Sequence, residues 1–260
     1  MIPTLILLFV VGAVTGSFLN VCIYRLPRRE SVIAPASHCP ECDRPLNWYD
    51  NIPLVSYLAL RGKCRRCGTS IPVRYPLVEL LNAVLFVLAG WRFGLTAELF
   101  PALLLISTLI VVFFIDLEHY IIPNIVVLPV AAVGVTAMVA ISLSATDPDF
   151  PSWWTFPLAG VASAGFFFLI TLIFPKGMGM GDVKLAGMLG FFLGRSVTVG
   201  LFLGFLLGAL VGIGLIAAGR KGRKSRVPFG PFLAVGALAA LFFGNELMQL
   251  YLGLFDSPEG

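Results

Sequence analysis

Two carboxylates and four thiols are the residues of this chain whose types and spacing can do chemistry. Asp116 closes the apolar run "LLLISTLIVVFFID" and opens "DLEHYIIPN", while Asp182 sits in "KGMGMGDVKL" between two strongly apolar segments. Ionisable side chains in or beside membrane-length apolar runs are costly, so each is a functional hypothesis by default. Glu79, Glu118, His119, Lys184 and Glu246 share that setting, with a plainer reading as interfacial residues that reach for water. At about 100° per residue, Asp116 and Glu118 point to nearly opposite sides of a helix, so only one of them can face a bundle core. Spacing favours Asp116, which shares a face with Val112 and Phe113, and leaves Glu118 open. Asp182 follows Gly177, Gly179 and Gly181, which free the backbone and remove side chains, as expected of a loop that lays itself beside an extended peptide. If the two acids meet, repulsion at low polarity lets them share one proton and titrate as a unit. The ionised member then takes a proton from an attacking water while the protonated member gives one to the carbonyl oxygen.

The thiols are Cys39, Cys42, Cys64 and Cys67, two C-x2-C pairs with 21 residues between them. A tight turn aims both sulfurs of such a pair at one ion, and two pairs complete a tetrahedron around zinc or another thiophilic metal. A closed four-thiolate site leaves no position for water, so the metal is expected to hold the segment folded and not to hydrolyse anything. Lys63, Arg65 and Arg66 offset thiolate charge, and His38 beside Cys39 reads as a surface histidine. The fifth cysteine, Cys22, ends an apolar run and reads as an inert buried thiol.

The elements that must position these groups are membrane helices. The 260 residues are 58% hydrophobic and 12% charged, far from a soluble domain. Apolar segments near 3–23, 77–94, 99–116, 122–143, 155–174, 183–194, 197–218 and 229–252 predict an all-α polytopic membrane protein of about eight spans. The sixth is too short to cross unless tilted, broken or extended. No Lys or Arg precedes Arg25, so the first segment is expected to remain as a span and not to be a cleaved signal. The parts expected are residues 1–23 as the first helix, 24–76 as a small cytoplasmic metal-binding insert, and 77–260 as a helical bundle. Nine basic against four acidic residues in 24–75, and five basic residues in "GRKGRKSRVP", put both loops in the cytoplasm. Both termini are then periplasmic, and Asp116 and Asp182 lie at the cytoplasmic ends of their segments. The net charge of +4 belongs to these loops and does not call for nucleic acid. Gly200, Gly204, Gly208 and Gly212, like Gly12 and Gly16, recur every four residues and predict close helix packing.

These elements in this order resemble the type IV prepilin peptidases, membrane aspartic proteases of the GxGD class. The resemblance runs through "GSFLNVCIYRLP", the paired cysteines with "LNWYDNIPLVSYL" between them, "RYPLVE", "DLEHYIIPN", "GMGMGDVKL" and "PFGP". It implies that Asp116 and Asp182 are the catalytic pair, resolving the choice against Glu118; Gly179 and Gly181, which lack side chains, are expected to line the peptide. It further implies a bacterial inner-membrane enzyme that cleaves prepilins and type II secretion pseudopilins after the Gly ending a short basic leader. A second implied activity is methylation of the new amino group, usually on Phe, with S-adenosylmethionine as donor; the four-cysteine insert goes with this activity. No residue is assigned to the donor, since the insert has no Gly-rich phosphate loop. Partners in this reading are prepilin and pseudopilin substrates, membrane lipid, and the pilus or secretion machinery. Two other readings stand beside it. In one, the insert is a docking module on a peptidase without methyl transfer; in the other, the two acids are relay sites of a proton-coupled transporter. Neither G-x-S-x-G nor H-E-x-x-H is present.

Overall fold

The computed structural model describes residues 2–39, 41–148, 150–175, 177–219 and 228–253. Among them no strand forms. The helices are α1 (Ile2–Arg25), α2 (Val55–Ala59), α3 (Arg74–Phe93), α4 (Leu99–His119), α5 (Asn124–Ser144), α6 (Thr155–Ile173), α7 (Met180–Leu193), α8 (Val197–Ala217) and α9 (Gly230–Gly253). All but the five-residue α2 coincide with the eight apolar segments, and seven helical stretches are long and apolar enough to cross a membrane. The counts differ because Met180–Ala217, one 38-residue stretch by composition, is two helices broken at a 3-10 turn over Gly194–Ser196. The basic loop that argued for orientation, apart from its end residues Gly219 and Pro228, and the acidic tail "DSPEG" lie outside the described residues.

The chain divides into two compact units after Leu99. In the first, α1 and α3 run antiparallel with their backbones close together. A Cβ on Gly12 would lie 2.7 Å from the Cα of Ala83, and one on Gly16 would lie 2.7 Å from the Cα of Glu79. The expected small-residue seam is therefore real, and it is polar as well as tight. Asn82 Nδ2 donates to the Gly12 carbonyl at 2.7 Å, and Asn20 Nδ2 donates to the Tyr75 carbonyl at 3.0 Å. Lipid offers no partner for such groups, so bonds of this kind hold helices in register. α3, which the sequence placed with the downstream bundle, packs on α1 in this first unit.

The second unit, Phe100–Gly260, is built around α7. Nine of its fourteen residues are buried, including Val183, Leu185, Met188 and Leu189. α7 lies against α6 through Gly190, where a Cβ would strike the Ala159 carbonyl and the Gly160 Cα, and against α5 through Phe192, whose ring fills the space beside Gly134. Fourteen residues rise only about 21 Å, yet they carry the chain from one end of the unit to the other. Lys184 at the start of α7 bonds Asn124 at the start of α5, whereas Gly194 at its end meets Phe156 and Thr155 at the start of α6. α8 then returns along α9, with Gly200 beside Ala240, Gly204 beside Leu233 and Gly208 beside Phe229. The fourth glycine of that row, Gly212, meets nothing within 4 Å and belongs to no seam. The polarity of each contact puts the C-terminus of α4 and the N-termini of α5, α7 and α9 at one end of the unit.

Candidate active site and metal centre

Asp116 stands in the last turn of α4, whose residues Leu105, Leu109 and Val112 pack with Val183, Leu185, Leu233 and Ala234 in one apolar cluster. Its side chain is buried, while Glu118 is exposed with its carboxylate 4.0 Å from His119 Nε2. The two acids two residues apart thus point to different sides of α4, as helical geometry requires, and it is Asp116 that turns inward. Asp116 Oδ2 accepts a hydrogen bond of 2.9 Å from the backbone N–H of Gly230, the first residue of α9.

Asp182 is buried too, but not in a loop. α7 begins at Met180, which makes Asp182 the third helical residue. The reason is local: its carboxylate Oδ2 accepts the Gly179 N–H at 3.0 Å while its own N–H donates to the Gly179 carbonyl at 3.1 Å, which closes the first turn. An acid at this position also suits the positive end of the helix dipole. Backbone freedom is not what the glycines supply, since none of Gly177, Gly179 and Gly181 has positive φ. Gly181 instead permits close approach, because a Cβ there would lie 3.0 Å from the Cβ of Ile122 in the turn that follows α4. Lys184 Nζ donates to Asn124 Oδ1 at 3.0 Å, tying "GMGDVK" to the last residue of "DLEHYIIPN".

Asp116 and Asp182, 66 residues apart in sequence, therefore lie at the same end of the second unit, where the start of α7 contacts the turn that follows α4. Two buried carboxyls at one end of a helical unit, each anchored through Oδ2, have the groups needed to exchange protons with a water and a carbonyl. Gly230 is the contributor that sequence reasoning missed. "PFGP" was visible as a motif, but nothing in its composition says which carboxylate its amide meets.

In the first unit, the sulfurs of Cys39, Cys42, Cys64 and Cys67 all lie within 4.8 Å of one another and none forms a disulfide. Cys39 and Cys67 are 3.8 Å apart, which is about the edge of a sulfur tetrahedron with metal–sulfur bonds of about 2.3 Å. The donor set thus fits zinc, as a closed structural site. Each C-x2-C pair is presented by the same backbone device. Cys39 N–H bonds the Arg44 carbonyl and Asp43 N–H bonds the Cys39 carbonyl; Cys64 repeats this with Thr69 and Gly68. The left-handed residue is Asp43 (φ 54°) in the first turn and Gly68 (φ 74°) in the second. Hydrogen bonds from Thr69 lower the Cys67 thiol to about 6, and burial pushes Cys39 up to about 11. Arg65, expected to offset thiolate charge, pairs with Asp50 at 2.8 Å and tethers the second turn to the 3-10 turn Trp48–Asn51. His38 faces the Ala36 carbonyl and Asp43.

Glu79 joins insert to helices: buried, it accepts the Leu54 N–H at 2.8 Å. Leu54 has φ 61° and ψ −47°, with Val55 N–H bonded to the Pro53 carbonyl, the geometry of a strained three-residue turn. Beside α1 and the insert lies a cavity of about 480 Å³ lined by Ser17, Phe18, Arg25, Ile33, Asn51 and other residues. Its size suits a cofactor-sized molecule. No carboxylate is among the lining residues, and Arg25 is already committed to the carbonyls of Ser31 and Pro35.

Comparison with known proteins agrees with this division of the chain. Residues 10–93 match the model of the bacterial peptidase A24 N-terminal domain, and residues 103–213 match that of the type IV leader peptidase family. A prepilin leader peptidase/N-methyltransferase of Bacillus subtilis is 39% identical, covering 95% of this chain and 97% of its own. The proteins of that name from Pseudomonas aeruginosa and Aeromonas hydrophila are each 35% identical, covering 93% and 96% of this chain and 91% and 94% of their own. No solved structure matches. With both of its domains matched and relatives similar from end to end, the chain belongs to the type IV leader peptidase family.

Proposed function

We propose that Asp116 and Asp182 are the catalytic pair, and that they cleave the basic leader from type IV prepilins and type II secretion pseudopilins after a Gly at the cytoplasmic face. The observation that carries this reading is the presence of two buried acids at the same end of the second unit, each held by a glycine amide. The pair shares one proton. Its ionised member removes a proton from water as the oxygen attacks the scissile carbonyl, and its protonated member donates to the carbonyl oxygen. Collapse of the tetrahedral intermediate breaks the C–N bond and returns a proton to the departing amine. The peptide lies along Gly179 and Gly181, where the absence of side chains admits an extended backbone beside Asp182.

A substrate with a basic leader in the cytoplasm and an apolar helix in the bilayer has its junction at the membrane surface, which matches acids at helix ends. In this reading the enzyme lies in the bacterial inner membrane with both termini periplasmic. The exposed amine is then methylated, with S-adenosylmethionine as donor and zinc holding the insert. The test is mass analysis of a co-expressed pilin. Asp116→Asn and Asp182→Asn are each expected to leave the leader uncleaved while the protein still inserts, and full processing by either would refute the pair. A processed N-terminus without the added methyl group, at saturating donor, would reduce the insert to a docking module.

A further inference from the structure

An acid pair by itself needs only two carboxylates, yet a third element, α9, is brought to Asp116. The Gly230 N–H reaches Oδ2 at 2.9 Å in a buried bond, and the approach leaves no room for a side chain. A Cβ at position 230 would stand 2.7 Å from Oδ2, 3.1 Å from Cγ and 3.3 Å from Cβ of Asp116. Only glycine brings a backbone amide this near without a clash. The start of α9 is also pinned from outside the site. Phe229 packs its ring 5.0 Å from that of Phe205 on α8 and 6.2 Å from that of Phe167 on α6. Pro231 follows, in the first turn of a helix where a missing N–H costs nothing.

We propose that Gly230 is a positioning residue for peptide cleavage, its amide setting the plane of the Asp116 carboxyl group. A bond to Oδ2 stops rotation about Cβ–Cγ, so that Oδ1 is presented to the reacting water. Asp182 has the matching arrangement, with Gly179 N–H on its own Oδ2. Both acids are thereby aimed by backbone amides at helix starts, which move less than side-chain donors. This inference rests on the reading of Asp116 as catalytic.

The experiment uses the full-length protein in detergent with a purified prepilin, measuring kcat, KM and Tm. Gly230→Ala is expected to lower kcat by roughly 100-fold, the scale of a misplacement near 1 Å, with KM changed by less than about twofold. Gly244→Ala is the stability control, since its Cβ would lie 2.6 Å from the Cβ of Ser196 at the far end of α9. It should lower Tm while keeping kcat. If Gly244→Ala, for the same loss of Tm, loses as much kcat as Gly230→Ala, the proposal is overturned. So would wild-type kcat in Gly230→Ala while Asp116→Asn is inactive. An active Asp116→Asn would sink the catalytic reading and this proposal with it. If Gly230→Ala fails to insert, Phe229→Leu decides, because it loosens the anchor without adding a clash: a fall in kcat at constant KM supports the proposal, and an unchanged kcat refutes it.

Discussion

Gly12→Ala tests whether the α1–α3 seam is held by backbone contact. The new Cβ would stand 2.7 Å from the Ala83 Cα, 3.0 Å from the Phe86 Cβ and 3.1 Å from the Asn82 carbonyl oxygen. Two of these neighbours are backbone atoms, which cannot swing aside as a side chain can. Carbon atoms in contact prefer about 3.5–4.0 Å, so the helices must separate by roughly 1 Å. The Asn82 Nδ2 bond to the Gly12 carbonyl, now 2.7 Å, then stretches past the usual limit of about 3.2 Å. Asn82 is fully buried, and losing such a partner costs about 1–3 kcal/mol, with membrane interhelical bonds toward the low end. Adding the lost contacts along the seam, we expect about 2–3 kcal/mol, or a fall in Tm of roughly 4–10 °C for a chain of this size. The assay is thermal unfolding of the full chain in detergent, followed by circular dichroism. Gly212→Ala, at a position whose Cβ meets nothing within 4 Å, is the control and should melt with the parent. Coincident melting of Gly12→Ala with that control would show that the seam tolerates a methyl group and that the packing argument fails.

Replacing Cys64 by Ser should lower bound zinc from one per chain to near zero by metal analysis and open the insert to protease, while the helical circular dichroism of the membrane part persists; full zinc content in the variant would contradict a four-thiolate site. Glu79→Ala should release the turn at Leu54, seen as faster amide exchange across residues 52–56, because the Leu54 N–H loses its acceptor. Unchanged exchange there would mean that the turn is held by its own Val55–Pro53 bond.

Much was legible in the sequence because membrane helices and metal turns are locally encoded. A run of about 20 apolar residues must become a helix in lipid, since no water satisfies its backbone, and α4, α5 and α9 appear within a few residues of where hydropathy puts them. The two C-x2-C turns are as local, each closed by bonds spanning five residues. Helix starts were less legible. Asp182 reads as a loop residue from its glycines, but its carboxylate accepts the Gly179 N–H and pulls it into the first turn of α7.

By itself, then, the sequence determined the spans, the cysteine cluster and the short list of acids, because these follow from composition and spacing over a few residues. Only the tertiary structure decided that α7 crosses its unit before the chain folds back at Gly194, and that Gly230 donates to Asp116. Each of these depends on which helix face lies against which neighbour. That is a matter of packing between segments as much as 114 residues apart, and no local pattern records it.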